Sequence, residues 1–245
     1  MQIRLRAACI ATQLTFALAA TALAQQPPPP PAREGKAEFA FVTTGGNASS
    51  QSIGAAAQAT FRPPRWVLDG QLAFVRNEAE DVVRAKSFAA RGRAGRVLTT
   101  RLQAFGQHSY LRDLFAGVLR RNLTEGGLSY LLVEAGGHTL YVDGGLGYLN
   151  ERRTVGESLS TPTAGTGARY KLKLSETSDI TDDLLMSFDL SDEGTWRLQH
   201  TIALTAKVAA PLSLKLSNVI RYVDEPVEGF EQTDTITSAA LVLSF

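Results

Sequence analysis

The feature that most constrains this chain is a period-two alternation of apolar and polar residues that continues to its last residue. In the closing segment, one set of alternate positions holds Thr237, Ala239, Leu241, Leu243 and Phe245. Positions two apart lie on the same face of a β-strand, so each such segment presents one apolar face. Similar segments of about ten residues repeat from residue 37 onward and break at Gly, Pro, Asn, Asp or Ser. The pattern predicts an all-β protein.

The spacing of the breaks predicts twelve strands, whose expected ranges are 37–45, 51–61, 66–76, 85–95, 101–110, 118–131, 139–149, 164–174, 182–190, 196–208, 212–222 and 234–245. Short turns, such as 62–65 and 209–211, alternate with longer loops, of which 150–163 is the longest. Short turns opposite long loops on an even number of strands are typical of a transmembrane antiparallel up-and-down β-barrel.

The prolines are consistent with these boundaries. A proline cannot donate a hydrogen bond to a strand ladder, so we expect it outside the strands. The prolines that follow the N-terminal proline run all fall in predicted connections: Pro63, Pro64, Pro162, Pro211 and Pro226. Aromatic residues cluster near predicted strand ends, as in the two interfacial girdles of a membrane barrel. The alternative architecture is a secreted, soluble β-sandwich with half-buried aromatics.

The N-terminus has the pattern of a secretory signal peptide, which we assign to residues 1–24. Arg4 and Arg6 precede an apolar stretch, and Ala22-Leu23-Ala24 is a small-x-small cleavage site. A retained N-terminal anchor is the alternative. Residues 25–36 contain an unbroken proline run, which predicts a stiff periplasmic linker. The barrel domain is therefore expected to span 37–245.

The apolar chain end is explained if the last strand pairs with the first. Unpaired amides are very costly in lipid, so a membrane barrel must close, and the chain can then end on a strand. The lipid-facing residues Leu241, Leu243 and Phe245 resemble the C-terminal signature of bacterial outer-membrane proteins. This resemblance implies recognition by the barrel assembly machinery. Leu243 stands where an aromatic residue is common in that signature.

Longer stretches of the sequence also resemble a known family. The segments are GNASSQSIGAAAQATFRPPRW, RLQAFGQHSYLRDLFAGV, HTLYVDGGLGYLNER and PLSLKLSNVIRY with the closing TDTITSAALVLSF. They are similar to the DUF481 family, also described as salt-induced outer membrane proteins. The most specific pieces are residues 105–117 and 233–238. The resemblance implies a β-barrel in the outer membrane of Gram-negative bacteria, and it implies no activity, substrate or catalytic residue.

The sequence offers few groups for catalysis. His108 precedes Ser109, and Asp113 lies nearby, which suggests a membrane-embedded lipid hydrolase as an alternative function. Adjacent strand residues point to opposite faces, however, so His108 and Ser109 should not form a nucleophile and base pair. Cys9 is the one cysteine and lies in the predicted signal peptide. No histidine spacing resembles a metal site, so we expect no enzyme, metal or cofactor.

The polar faces of the strands predict the lining of the barrel. The candidate basic residues are Arg91, Arg93, Arg169, Lys171, Lys173, Arg197, Lys207, Lys215 and Arg221. The candidate acidic residues are Asp69, Asp143 and Asp189. If the lumen is open, this excess of positive charge should favour anions. The alternative is an interior filled by ion pairs and hydrogen bonds, and the sequence does not decide between the two.

These observations predict a monomeric outer-membrane barrel, acting as a small-solute pore or as an envelope protein linked to osmotic stress. The stress link rests on the family resemblance. The expected partners are the lipid bilayer and lipopolysaccharide, the latter through cations bound by acidic loops such as 223–233, although solvation alone also explains those charges. A formal net charge of +1 argues against nucleic-acid binding.

Overall fold

The computed structural model describes residues 31–44, 50–79, 82–191 and 195–245. The predicted signal peptide and residues 25–30 of the predicted linker lie outside these ranges. The described residues form twelve β-strands and one short 3-10 helix, Leu114–Ala116. Within these residues, no helix is long and apolar enough to cross a membrane.

The observed strands confirm the predicted number and order. In chain order, β1 to β12 are Arg33–Thr44, Ser50–Phe61, Trp66–Ala79, Val82–Val97, Leu102–Asp113, Val118–Ala135, His138–Arg153, Leu159–Lys173, Ser178–Asp189, Trp196–Ala209, Leu212–Val223 and Thr233–Ser244. β1 begins four residues before its predicted start at residue 37, within the predicted linker. The reason is pairing, because Arg33 to Lys36 lie opposite Phe61 to Gln58 of β2.

The strands form a closed antiparallel barrel in which each strand pairs with its neighbours in sequence and β12 pairs with β1. The closing pair runs from Lys36 opposite Ser244 to Phe39 opposite Leu241. Beyond it, the Phe245 amide donates to the Gly35 carbonyl at 3.0 Å, and the Gly35 amide donates to the Phe245 carbonyl at 2.8 Å. The apolar end of the chain therefore completes the barrel wall.

The outward face of the barrel is apolar. Large hydrophobic side chains exposed on it include Phe39, Phe41, Leu68, Leu72, Leu128, Leu146, Ile202, Leu204, Leu214, Leu216, Leu241 and Leu243. A continuous exposed apolar surface on a closed barrel is the pattern of a transmembrane barrel. The closed ring of twelve strands rules out the β-sandwich architecture, which needs two packed sheets.

One predicted proline position and one predicted loop are wrong. Pro162 lies within β8, opposite Tyr148 of β7. Its carbonyl accepts a hydrogen bond from the Leu190 amide, so the backbone polar atoms of Pro162 face β9. β9 ends at Asp189, one residue before Leu190, so the N–H that proline lacks is not needed for the strand ladder there. The predicted longest loop, 150–163, is mostly strand, because β7 continues to Arg153 and β8 begins at Leu159. Only residues 154–158 connect the two strands.

The two ends of the barrel differ. The terminal rim carries both described chain ends and the short turns 62–65, 98–101, 136–137, 174–177 and 210–211. The loop rim carries the connections 114–117, 154–158 and 224–232, of which the last is the longest connection among the described residues.

Candidate functional site: the inner face of the barrel

Contacts between strands that are not neighbours identify the side chains of the inner face. Arg93 of β4 and Asp143 of β7 form an ion pair at 3.1 Å, and Lys215 of β11 and Glu38 of β1 form one at 2.8 Å. Such contacts can form only across the interior of the closed barrel. Following the strand alternation from these residues assigns every other described strand position to one face.

The strand register places all the basic and acidic residues that the sequence suggested for the lining on this inner face. The same alternation places further acids there, among them Glu34, Glu38, Asp113, Glu125, Glu151, Asp179, Asp183 and Asp234, and further bases, among them Lys36, Arg121 and Arg153. Several of these lie in strand ends beyond the predicted boundaries. The inner face therefore carries a more balanced charge than the sequence suggested.

A polar network crosses the barrel at the level of Asp143. This side chain is nearly buried, with 9% exposed. It accepts hydrogen bonds from Arg93 Nη1 at 3.1 Å and from Arg169 Nε and Nη2 at 3.3 Å. Arg169 Nη2 also donates to Ser129 Oγ at 3.0 Å. The network ties β4, β6, β7 and β8 together and narrows the interior.

Glu125 lies in a recess of the wall made by glycines. Its Oε2 accepts from Gln107 Nε2 at 2.6 Å. A Cβ atom at Gly165 would lie 2.5 Å from Glu125 Oε1, and one at Gly147 would lie 2.6 Å from Glu125 Cγ. The absence of side chains at these two positions therefore makes the space that the glutamate occupies.

A second charged group lies nearer the loop rim around Glu151, which is 1% exposed. Arg121 Nε donates to Glu151 Oε2 at 2.5 Å, and Arg153 Nε donates to Glu151 Oε1 at 2.9 Å. Arg197 is also buried, but its Nε, Nη1 and Nη2 atoms have no hydrogen-bond partner among the described residues. This group is therefore rich in arginine and only partly neutralised.

The mouth of the barrel at the loop rim is crossed by an ion pair. Arg221 Nη1 of β11 lies 3.3 Å from Asp113 Oδ2 of β5. Five strands lie between β5 and β11 on either side of the ring of twelve, so these residues belong to opposite sides of the wall. The pair therefore spans the interior just inside the mouth.

The 224–232 loop also crosses the mouth. Val227 of this loop is 4% exposed. A Cβ atom at Gly117 would lie 2.7 Å from Val227 Cβ and 2.9 Å from the Phe230 ring. Gly117 follows the 3-10 helix on the opposite side of the barrel, with φ of 72°, a left-handed conformation that favours glycine. We call Gly117, Val227 and Phe230 the cap.

The interior contains a cavity of about 150 Å³. Its charged lining residues are Arg93, Arg121, Arg197, Arg221, Glu125 and Asp143. Its apolar lining residues include Phe105, Leu123, Leu149 and Leu185. The cavity therefore has more arginines than carboxylates around it, together with apolar wall on which a hydrocarbon group could pack.

The residues suggested for a hydrolase do not assemble into a catalytic group. His108 lies on the outward face, where its Nδ1 is 2.8 Å from Thr124 Oγ1, and Ser109 lies on the inner face. His200 also faces outward and pairs with Asp182 at 2.8 Å. Within the described residues, no three histidine, cysteine, aspartate or glutamate side chains group to hold a metal ion.

The suggested assembly signal lies at the terminal rim. Leu241, Leu243 and Phe245 occupy alternate positions of the closing strand and its last residue. All three side chains are exposed on the outward face. They therefore form an apolar stripe along the seam at which β12 meets β1.

Solved structures with a similar fold are bacterial barrels. An outer membrane channel from Pseudomonas putida F1 aligns with a TM-score of 0.53 and 10% sequence identity, over 89% of this chain and 96% of that chain. The translocator domain of the autotransporter NalP from Neisseria meningitidis aligns with a TM-score of 0.46 and 13% identity, over 87% and 86% of the two chains. The NanC porin aligns with a TM-score of 0.46 and 7% identity, over 87% and 98%. The likeness to the channel shows a shared outer-membrane barrel fold.

None of the curated proteins matches this sequence. The family described as "Protein of unknown function, DUF481" matches residues 37–245, which is nearly the whole chain. This match confirms the resemblance that the sequence motifs indicated. The chain therefore belongs to the DUF481 family.

Proposed function

We propose that this protein is a pore for small solutes in the bacterial outer membrane. The observation that supports this proposal is the contrast between the two faces of the barrel. The outward face is apolar, whereas the inner face carries charged side chains that contact one another across the interior. A polar interior within an apolar wall is the arrangement that lets hydrated solutes cross a bilayer.

The proposed pore is narrow at rest. The Arg221–Asp113 pair and the cap cross its mouth, and the Asp143 network crosses its middle. Ion pairs and loop contacts can separate without unfolding the barrel wall, because the strand ladders do not depend on them. We therefore expect small ions and solutes to pass intermittently and larger ones to be excluded.

We propose that the pore prefers anions. The inner face as a whole does not argue for this, since acids on β1, β5, β6, β7, β9 and β12 offset much of the positive charge. The preference rests on the cavity lining, where Arg197 has no partner among the described residues. The other arginines of the lining, Arg93, Arg121 and Arg221, are paired with carboxylates. Positive charge at a constriction bounded by a wall of low dielectric constant raises the local concentration of anions.

A structural role in the envelope, linked to osmotic stress, is the second candidate function. The Arg221–Asp113 pair and the cap favour it, because they join opposite sides of the wall. In this role the barrel would stiffen the membrane and pass no solute. We also propose that the protein is a monomer that contacts lipopolysaccharide at its loop rim.

Liposome swelling separates the two functions. Purified barrels are reconstituted into vesicles and exposed to neutral and anionic solutes of graded size, with protein-free vesicles as the control. The pore predicts faster swelling with the smallest solutes and a faster rate for an anion than for a neutral solute of equal size. Swelling no faster than in protein-free vesicles would contradict the pore and favour the structural role.

The assembly role of the closing strand is tested in cells. We propose that the barrel assembly machinery binds the apolar stripe of Leu241, Leu243 and Phe245. Deleting Phe245 removes the end of this stripe and both hydrogen bonds to Gly35. We expect less heat-modifiable protein in the outer membrane than for the wild type, and an unchanged amount would contradict this role.

A further inference from the structure

Arg197 is the charged side chain of the inner face whose surroundings are least explained by the fold. It is 8% exposed, and all three guanidinium nitrogens are buried without a hydrogen-bond partner among the described residues. A buried charge is normally paired and hydrogen-bonded, because desolvating it is otherwise very unfavourable. An unsatisfied buried group of this kind indicates a role other than packing.

The acids near Arg197 have other partners. Among the described residues, Glu151 and Asp189 are the carboxylates whose charges act on its guanidinium. Both oxygens of Glu151 accept hydrogen bonds from other arginines, at 2.5 and 2.9 Å. Asp189 Oδ1 accepts from neighbouring hydroxyl groups and from the Ser191 amide. The five N–H donors of Arg197 therefore have no acceptor among the described residues, and a ligand that entered the cavity could supply one.

The cavity in front of Arg197 has the lining that an amphipathic anion needs. Arg121 and Arg221 line the same wall, each paired with a carboxylate, so Arg197 carries the uncompensated charge. Phe105, Leu123, Leu149 and Leu185 supply apolar surface elsewhere in the lining. The volume of about 150 Å³ is similar to that of a cavity that binds benzene. An amphipathic anion that fits this volume therefore has one charged group and only a short hydrocarbon chain or a single ring.

We propose that this cavity binds a small organic monocarboxylate, whose carboxylate is held by the guanidinium of Arg197. The planar guanidinium presents two parallel donors that match the two oxygens of a carboxylate. The hydrocarbon part of the ligand packs on the apolar lining. The inference rests on the proposed pore, because the carboxylate must enter through the barrel. It deepens that function by assigning a solute class and the residue that binds it.

The test is calorimetric titration of benzoate into the purified, detergent-solubilised barrel, which measures binding without requiring conduction. Benzyl alcohol, which has the same ring without the charge, is the ligand control. The variants are Arg197→Gln and Arg197→Lys, and the matched control is Arg112→Gln on the exposed outward face of β5. Heat-modifiability on gels establishes first that each variant forms a barrel.

We expect benzoate to bind the wild type and the Arg112→Gln variant equally, and benzyl alcohol to bind neither. Arg197→Gln should weaken benzoate binding at least about tenfold, because it removes the charge-assisted hydrogen bonds. Arg197→Lys should give an intermediate affinity, since it keeps the charge and loses the paired donors. Binding of benzyl alcohol as tight as that of benzoate, or equal benzoate binding by wild type and Arg197→Gln, would overturn the proposal.

The outcomes for the site and for the pore are separable. Absence of benzoate binding by a barrel that conducts ions in bilayers would overturn the site and leave the pore standing. Benzoate binding that depends on Arg197, in a barrel that passes no solute, would support the site and contradict the pore.

Discussion

Replacing Glu151 with glutamine tests whether the buried charged group near the loop rim stabilises the barrel. Glu151 is 1% exposed and accepts one hydrogen bond from Arg121 and one from Arg153. Glutamine keeps the shape of the side chain but has one acceptor oxygen instead of two, and its amide group would face a guanidinium. The change therefore removes a negative charge and at least one charge-assisted hydrogen bond from a place with three buried or half-buried arginines.

The size of the effect follows from these contacts. Breaking a buried ion pair by removing one partner costs about 3–5 kcal/mol, because the other charge is left uncompensated. The side chains of Arg121 and Arg153 keep about one fifth of their surface exposed, which moderates the loss, so we expect a destabilisation of about 3 kcal/mol. The free energy of unfolding falls by about 2 kcal/mol for each molar of urea, so the urea concentration at the unfolding midpoint should fall by about 1.5 M.

The assay is urea unfolding of the barrel reconstituted in lipid vesicles, followed by tryptophan fluorescence. The matched control is Glu176→Gln, which breaks the 2.9 Å ion pair with Lys173 at a side chain that is 90% exposed. Exposed pairs contribute about 0–1 kcal/mol, so this variant should unfold nearly as the wild type does. If Glu151→Gln and Glu176→Gln shift the midpoint equally, the reasoning about burial is refuted.

Two further predictions concern the wall and the cap. Gly127→Ala should lower the unfolding free energy by about 1–3 kcal/mol or prevent assembly, because its Cβ would clash with the Gly144 carbonyl oxygen of the neighbouring strand. Gly92→Ala, whose Cβ meets nothing within 4 Å, is the control in the same urea assay, and equal stability of the two variants would contradict the close approach. Val227→Asp should raise the single-channel conductance severalfold, because a charge at this buried position breaks the cap. The control is Glu228→Gln at an exposed position of the same loop, which should conduct as the wild type does. Unchanged conductance of Val227→Asp would show that the cap does not limit ion flow.

The strand pattern could be predicted from sequence because the signal is local. Each strand needs only its own alternation, and the breaks at glycine and proline mark its ends. Closure of the barrel could also be predicted, because an apolar last strand in lipid requires a partner strand for its backbone hydrogen bonds. Pro162 was misplaced because the rule that excludes proline from strands holds only where a neighbouring strand needs the missing donor.

The inner face could be predicted only in part, because it depends on contacts between distant strands. Alternation assigns Arg197 to a face, but it does not indicate that its guanidinium is buried without a partner. The pairing of Arg221 with Asp113 depends on strand tilt and on the path of the chain after β5. The recess for Glu125 likewise requires Gly147 and Gly165 on neighbouring strands. A single sequence read strand by strand carries none of these distances.

The charge balance shows the same limit. The excess of basic residues predicted for the lining depended partly on the strand boundaries, and β1, β5, β7 and β9 all extend beyond the predicted ones. The added segments bring acids such as Glu34, Asp113 and Glu151 onto the inner face. Other acids, such as Glu38 and Glu125, lie within predicted strands whose inner face was not assigned from the sequence. We therefore expect the residues around the narrow part of the interior to set the selectivity of the pore.

The central claim is that this barrel is a pore, and single-channel recording in planar bilayers under a potassium chloride gradient tests it most directly. The account predicts discrete, small conductance steps with intermittent closures, and a reversal potential whose sign shows chloride crossing more readily than potassium. The absence of conductance steps after insertion of folded, heat-modifiable protein would contradict the pore. A reversal potential of the opposite sign would contradict the anion preference assigned to the cavity lined by arginines.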